Sequence, residues 1–296
     1  MALGNLAQRF LVAVIAVPIL LVVLYFHRPE PTWALMFAAS LLAMREFFGM
    51  TLPKTDRGAA LVLGGFATLA FYWTDPLTLL AENHGHLGHF RWLSMEAPGL
   101  VAAFVVIAPG LYYLFRFRDI PSVASRFAAT VAGTVYCGFL AMYLAKLKLI
   151  DPKQGGDTVL LVLIVAWLAD TGGYFAGRFL GKAKLYEAVS PKKTWAGAYG
   201  GIAGSVVGVV VLKLVHADWL EWYDVALIAI PGGILGQLGD LAESLIKRSV
   251  GVKDSGALLP GHGGILDRID AVLFIAPYVY GYLMLRGLGT MVLPAS

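Results

Sequence analysis

Long apolar runs separated by short polar stretches dominate the chain. Runs near 10–26, 32–50, 58–73, 98–115, 127–145, 158–178, 196–215, 225–243 and 269–288 are each mostly apolar. A helix needs about 20 apolar residues to cross hydrocarbon. The pattern therefore predicts about nine spans, of which 58–73 is short. The expected fold is all-α, a polytopic integral membrane protein. The first run, FLVAVIAVPILLVVLYF, ends in bulky residues ahead of HRPEP and carries no small-residue cleavage site, so it reads as a retained span. The longest early loop, 74–97, holds three histidines in ENHGHLGHF and reads as a plain extramembrane loop. No internal repeat is visible, so the inverted-repeat sign of many transporters is missing. Residues 1–125 read as a scaffold of N-terminal helices. Residues 126–296 read as a catalytic region, whether or not the two form one structural unit.

Composition strengthens the membrane reading. Of 296 residues, 58% are hydrophobic and 14% charged, against roughly 25% charged in a soluble domain. Cys137 is the single cysteine, which excludes an intrachain disulfide and disfavours thiolate metal sites. A net charge of +4 suits anionic headgroups or phosphates and makes no case for nucleic acid. With nine spans and the N-terminus inside, 16 Lys and Arg fall on the cytoplasmic side and 7 on the other, as the positive-inside rule requires. Both motif-rich loops of the C-terminal half then face the cytoplasm.

Three polar constellations interrupt that half. In WLADTGGYFAGRFLGKAKL (167–185), Asp170, Gly173, Tyr174, Gly177 and Arg178 share one helix face. The two glycines allow close helix approach, and an ionisable group within a span is costly unless it serves a cavity or a partner. A structural pairing of Asp170 with Arg178 or with another span's cation is the competing reading. In SPKKTWAG (190–197), Ser190 predicts a helix N-cap and Pro191 the first helical position. Lys192 and Lys193 would then sit at the positive end of a helix dipole, a corner suited to phosphate. Flanking lysines that only orient the span are the alternative. In 239–270, Asp240, Glu243, Ser244, Lys247 and Arg248 form a polar stripe. Lys253, Asp254 and His262 follow in a glycine-rich loop, then Asp267, Arg268 and Asp270 open the last span.

Asp240 and Asp267, from separate helices, are the type of oxygen ligand that holds Mg²⁺ beside substrate phosphates. One histidine and no useful thiol make zinc improbable. Carboxylates for a divalent ion with several bases for phosphates point to phosphoryl or nucleotidyl transfer, which depends on positioning and charge compensation. A phosphate nucleophile arrives ionised, consistent with the lack of a persuasive Ser/His/Asp or Cys/His set. No GxxxxGK[ST] occurs.

SLIKRSVGVKDSGALLPGHGGILDRID (244–270) resembles the long signature of the CDP-diacylglycerol synthases, also called phosphatidate cytidylyltransferases. DTGGYFAGRFLGKAKL and SPKKTWAGAYGG resemble further segments of that family, in the same order. The likeness covers roughly 160–275. It implies a reaction of phosphatidate with CTP that yields CDP-diacylglycerol and pyrophosphate, with Mg²⁺ and room for a second cation. Carried over by position, Asp240 and Asp267 look like metal-binding carboxylates. Lys192, Lys193, Lys247, Arg248, Lys253 and Arg268 look like phosphate contacts. Asp170, Asp254, His262 and Asp270 match charged motif positions. The resemblance also implies a bacterial inner-membrane enzyme working at the cytoplasmic face, and leaves a homodimer open. Ala196 stands where the family often has an acid or amide, and Gly173 where it often has Ala. The Ala196 change keeps open a cytidylyltransferase acting on another lipid phosphate. A cation-coupled transporter is the remaining alternative. The DxxDGxxAR…GxxxDxxxD pattern of CDP-alcohol phosphotransferases does not occur.

Overall fold

Inside hydrocarbon every backbone N–H and C=O must be paired within the chain, so apolar runs of this length can only become helices. The computed structural model describes residues 5–83, 88–116, 119–151, 153–256, 258 and 263–288. Helices α1 (Asn5–Tyr25), α2 (Glu30–Thr51), α3 (Lys54–Asn83) and α4 (Gly88–Leu114) are followed by α5 (Ile120–Gly133), a π-helical turn (Thr134–Phe139) and α6 (Leu140–Leu149) in one continuous run. Then come α7 (Gly155–Leu180), a hairpin of β1 (Lys184–Tyr186) and β2 (Ser190–Thr194), α8 (Trp195–Val215), α9 (Trp222–Ser249) and α10 (Leu266–Leu285). Every expected span lies on a helix, and 127–145 lies on the α5–α6 run. Among the described residues, seven helices are long and apolar enough to cross a membrane. The described apolar part of α1 is only Ala16–Tyr25, and α3 does not reach the same apolar content, so seven rather than nine is the number these criteria support. The segment 74–97, expected as a loop, is mostly helical in the end of α3 and the start of α4; of its three histidines, those at 84 and 86 lie outside the described residues and the third, at 89, lies on α4.

The chain divides into two compact units, Trp33–Lys146 and the remainder, Met1–Thr32 with Leu147–Ser296. Within Trp33–Lys146, α3 packs on α4 and on the π-helical turn. Asp56, with a side chain 2% exposed, holds this unit's polar end by ion pairs to Arg126 at 3.3 Å and Arg116 at 3.5 Å.

The other unit is built on glycine. Gly172 lies against Gly200 and Gly204, and Gly204 lies against the backbone of Leu168, so α7 and α8 run antiparallel with main chain touching main chain. Gly233 meets Ser205 of α8, and Gly236 and Gly239 meet Ile275 and Asp270 of α10. Lipid supplies no hydrophobic drive between helices, so close van der Waals contact between small residues holds them together. Ser205 adds a hydroxyl hydrogen bond to the Val165 carbonyl of α7, 3.2 Å. Away from these seams, Val207, Val211 and Leu214 of α8 are all more than half exposed, as a lipid-facing surface requires.

A polar knot closes the end of this unit remote from the motifs. The buried Asp157, in the first turn of α7, accepts hydrogen bonds from Tyr25 of α1 at 2.7 Å and from the Trp219 indole at 3.1 Å, and lies 3.1 Å from His216. Lys148 donates to the carbonyls of Leu24 and Phe26. Fully buried Asp224 closes a capping box with Glu221 at the start of α9 and accepts from Tyr282 of α10.

The hairpin corrects one expectation. Ser190 is not a helix N-cap and Pro191 is not a first helical residue: both lie in β2, paired with β1 through Lys184–Thr194 and Tyr186–Ser190. The cap is Thr194, whose hydroxyl accepts the Gly197 N–H at 3.1 Å, and α8 starts at Trp195. The stretch contains two capping-type residues four apart. Strand pairing occupies the backbone around the first and leaves the second at the boundary. Lys192 and Lys193 therefore extend from a strand and do not crowd a helix start. Thr194→Ala should lower stability by about 1 kcal/mol, read as a reduced thermal midpoint in detergent. Ser190→Ala should leave that midpoint unchanged.

Candidate active site

The motifs meet in one cavity of about 900 Å³, formed within the unit that contains α7 to α10. The last turns of α7 contribute Asp170 and Tyr174. β2 contributes Lys192 and Lys193, and Thr194, Gly197 and Ala198 form the wall at the start of α8. From α9 come Gln237, Asp240, Glu243 and Lys247, one residue per turn on a single face. The following loop adds Lys253 and Asp254, and the first two turns of α10 add Asp267, Arg268 and Asp270. The cavity thus collects the C-terminal ends of α7 and α9 and the N-terminal ends of α8 and α10, as their antiparallel packing dictates.

Its centre is a carboxylate–ammonium chain. Lys247 donates to Glu243 Oε2 at 2.7 Å and to Asp267 Oδ1 at 2.6 Å. Asp267 also accepts the backbone N–H groups of Gly264 at 2.8 Å and Ser255 at 3.1 Å. Gly263, with φ of +78°, lies beside this carboxylate. A side chain there would be strained and would press on Asp267 Oδ2. Lys193 reaches Asp240 Oδ2 at 2.8 Å, and the Ser244 hydroxyl reaches Asp240 Oδ1 at 3.3 Å. Asp270 faces the like charges of Asp240, Glu243 and Asp170. Six acids and five bases line the cavity. A polyanion entering it must be accompanied by positive charge or must displace carboxylates from lysines. Glu243 is 1% exposed, and its second oxygen, Oε1, has no hydrogen-bond partner.

Twelve of the expected site residues line the cavity, and four others do not. Arg178 hydrogen-bonds Tyr174 at 2.6 Å, on the exposed side of α7. Ser190 belongs to the hairpin, and Ser244 reaches the site only through Asp240. Arg248 spends its N–H groups on the carbonyls of Val189 and Val252, tying hairpin and loop to α9. His262 lies outside the described residues. Sequence reasoning passed over Gln237, which lines the wall and donates to the Ala198 carbonyl at 3.1 Å. Its position three residues before Asp240 was the available signal. Thr194 has the same capping chemistry as Ser190 four residues earlier, and only the strand pairing of the hairpin separates the two.

Apolar helices that enclose a cavity of paired lysines and carboxylates define an integral membrane enzyme. The chain belongs to the cytidylyltransferase family, whose model matches residues 7–286. It is 34% identical over 274 residues to the phosphatidate cytidylyltransferase of Staphylococcus haemolyticus, covering 91% of this chain and 95% of that protein. It is 32% identical over 286 residues to the phosphatidate cytidylyltransferase of Bacillus subtilis, covering 95% and 98%. The phosphatidate cytidylyltransferase of Brucella suis is 45% identical over a shorter stretch of 150 residues, half of this chain.

Proposed function

We propose that the protein transfers the cytidylyl group of CTP to phosphatidate. A phosphate oxygen of phosphatidate forms the new bond to the α-phosphorus. The bond from that phosphorus to the β-phosphate bridge breaks, and its electron pair leaves on pyrophosphate. The product is CDP-diacylglycerol. The observation that carries this reading is the joining of Asp240, Asp267, Lys193 and Lys247 in one cavity, within a chain of this family. An ionised phosphate nucleophile needs no strong base, and the cavity's task is to align two phosphates and offset their charge.

Lys192, Lys193, Lys247, Lys253 and Arg268 bind and orient phosphate oxygens in this reading. Arg248 acts one step removed, through the hairpin and loop it holds. Asp170 lies near Lys193 and Arg268 and helps place them, while Asp254 and Asp270 line the same cavity with Tyr174 on the α7 wall.

The donor set suits a divalent cation. Asp240 and Asp267 come from different helices and line the same cavity, and Asp240 has one partner on each oxygen among the described residues, which leaves each a lone pair for a cation. No cluster of three or more acid, His or Cys ligands stands among the described residues. Mg²⁺ needs only one or two protein carboxylates when phosphates and water fill its shell. Asp240 and Asp267 would hold it, and it would supply positive charge to the departing pyrophosphate. In this reading the catalytic region lies within 126–296, the N-terminal helices serve as scaffold, and the cavity faces the cytoplasm of a bacterial inner membrane. The positive-inside bias of the loops supports this orientation.

Purified protein in detergent, given phosphatidate and labelled CTP, should form the liponucleotide with Mg²⁺ and lose that activity in excess EDTA. Product formation that persists in EDTA would remove the cation from the scheme. No product under any condition would remove the reaction.

A further inference from the structure

The hairpin between α7 and α8 has a face that the cavity does not use. In β1, Leu185 is half-buried and lines the cavity, while its neighbours Lys184 and Tyr186 are exposed and do not. Side chains alternate across a strand, so Lys184 and Tyr186 share the opposite face. Lys182 precedes them, exposed and outside the cavity lining. Ahead of it α7 ends in Phe179 and Leu180, 72% and 71% exposed, and Tyr186 is 50% exposed. The outward surface therefore reads apolar, apolar, basic, basic, aromatic from Phe179 to Tyr186. Residues 181–194 hold four lysines against one acid, Glu187. Only Lys193 among the four has an ion pair among the described residues.

Two features of this surface select its partner. Ammonium groups beside exposed aromatic and aliphatic side chains match the boundary of a bilayer, where acyl chains and anionic phosphates lie within a few ångströms of each other. A soluble nucleotide has no use for Phe179 and Leu180. The geometry points to this face, centred on Lys182 and Lys184, as a docking surface for the phosphate headgroup of phosphatidate in the membrane, delivering that lipid to the cavity whose wall is formed by the other face of the same hairpin. The inference rests on the proposed reaction and adds where its lipid substrate is first held. Lys182 and Lys184 are binding residues outside the cavity and take no part in the bond exchange.

The test is steady-state kinetics in neutral mixed micelles. The mole fraction of phosphatidate is varied at saturating CTP, then CTP is varied at saturating phosphatidate. Lys182→Ser should raise the KM for phosphatidate about fivefold, and Lys182→Ser combined with Lys184→Ser about thirtyfold. The kcat and the KM for CTP should stay at wild-type values, and the Lys182→Arg, Lys184→Arg pair should behave as wild type. Lys184 also donates to the Pro191 carbonyl at 2.6 Å, so the Lys182 variant alone separates docking from hairpin stability. An unchanged phosphatidate KM in an active enzyme overturns the docking surface and spares the reaction. An equal rise in the KM for CTP assigns the lysines to the nucleotide and also overturns it. A wild-type protein with no activity removes the reaction, and the docking surface falls with it.

Discussion

Asp267→Asn should cut turnover about a thousandfold, the loss typical when a preorganised group that compensates reaction charge is removed. The carboxylate accepts from the Lys247 ammonium and from two backbone N–H groups, all donors. An amide in its place must turn an NH₂ toward one of those donors. It also removes the negative charge that the proposed cation requires. Lys247 would remain paired to Glu243 at 2.7 Å, so the ammonium is not left bare and the fold should persist. Initial rates at saturating CTP and phosphatidate read the first effect, and circular dichroism of the detergent-solubilised variant reads the second. Wild-type turnover in a folded Asn variant would show that Asp267 is structural and that the cation lies elsewhere. An unfolded variant would give the residue a scaffolding role and break the separation drawn between site and frame.

Gly204→Val should remove the folded state, with a stability loss of at least about 3 kcal/mol, the upper part of the overpacking range. A Cβ at 204 would overlap the backbone carbonyl of Leu168 and press on the Cα of Gly172 at 3.1 Å. A main-chain carbonyl cannot rotate away as a side chain can, so α7 and α8 must separate. Their separation would open the cavity wall between Asp170, Gly173 and Gly177 on one helix and Gly197 and Ala198 on the other. Gly49 on α2 is the control. Nothing lies within 4 Å of a Cβ there, so Gly49→Ala should be neutral or slightly stabilising. Thermal unfolding in detergent distinguishes the two. Equal midpoints for Gly204→Val and wild type would mean the helices are not held at backbone contact.

The helices and the chemical character of the site were legible because both depend on local information. An apolar run of span length has one way to satisfy its backbone in lipid. Acids and bases spaced three and four apart declare a common face, as Asp240, Glu243 and Lys247 do on α9. The Gly173–Gly177 pair announced close packing, and α8 does lie against it. Ser190 failed as a cap for the same reason in reverse. The competition between Ser190 and Thr194 is settled by pairing with Lys184 and Tyr186, which lie outside the local stretch. Arg248 stands outside the cavity lining, where carbonyls of the hairpin and of the following loop hold its guanidinium.

The amino-acid sequence by itself determined that this chain is a helical membrane protein of the cytidylyltransferase family, and which residue types carry its charge. Hydropathy and motif spacing are properties of neighbours along the chain. Only the tertiary structure decided which lysine meets which carboxylate, that α1 packs with the C-terminal helices, and that the hairpin turns one face to the cavity and leaves another exposed. The pairs Lys193–Asp240 and Lys247–Asp267 and the bond from Tyr25 of α1 to Asp157 of α7 join residues far apart along the chain, and the hairpin depends on strand pairing; in each, packing and competition for hydrogen-bond partners outweigh local preference.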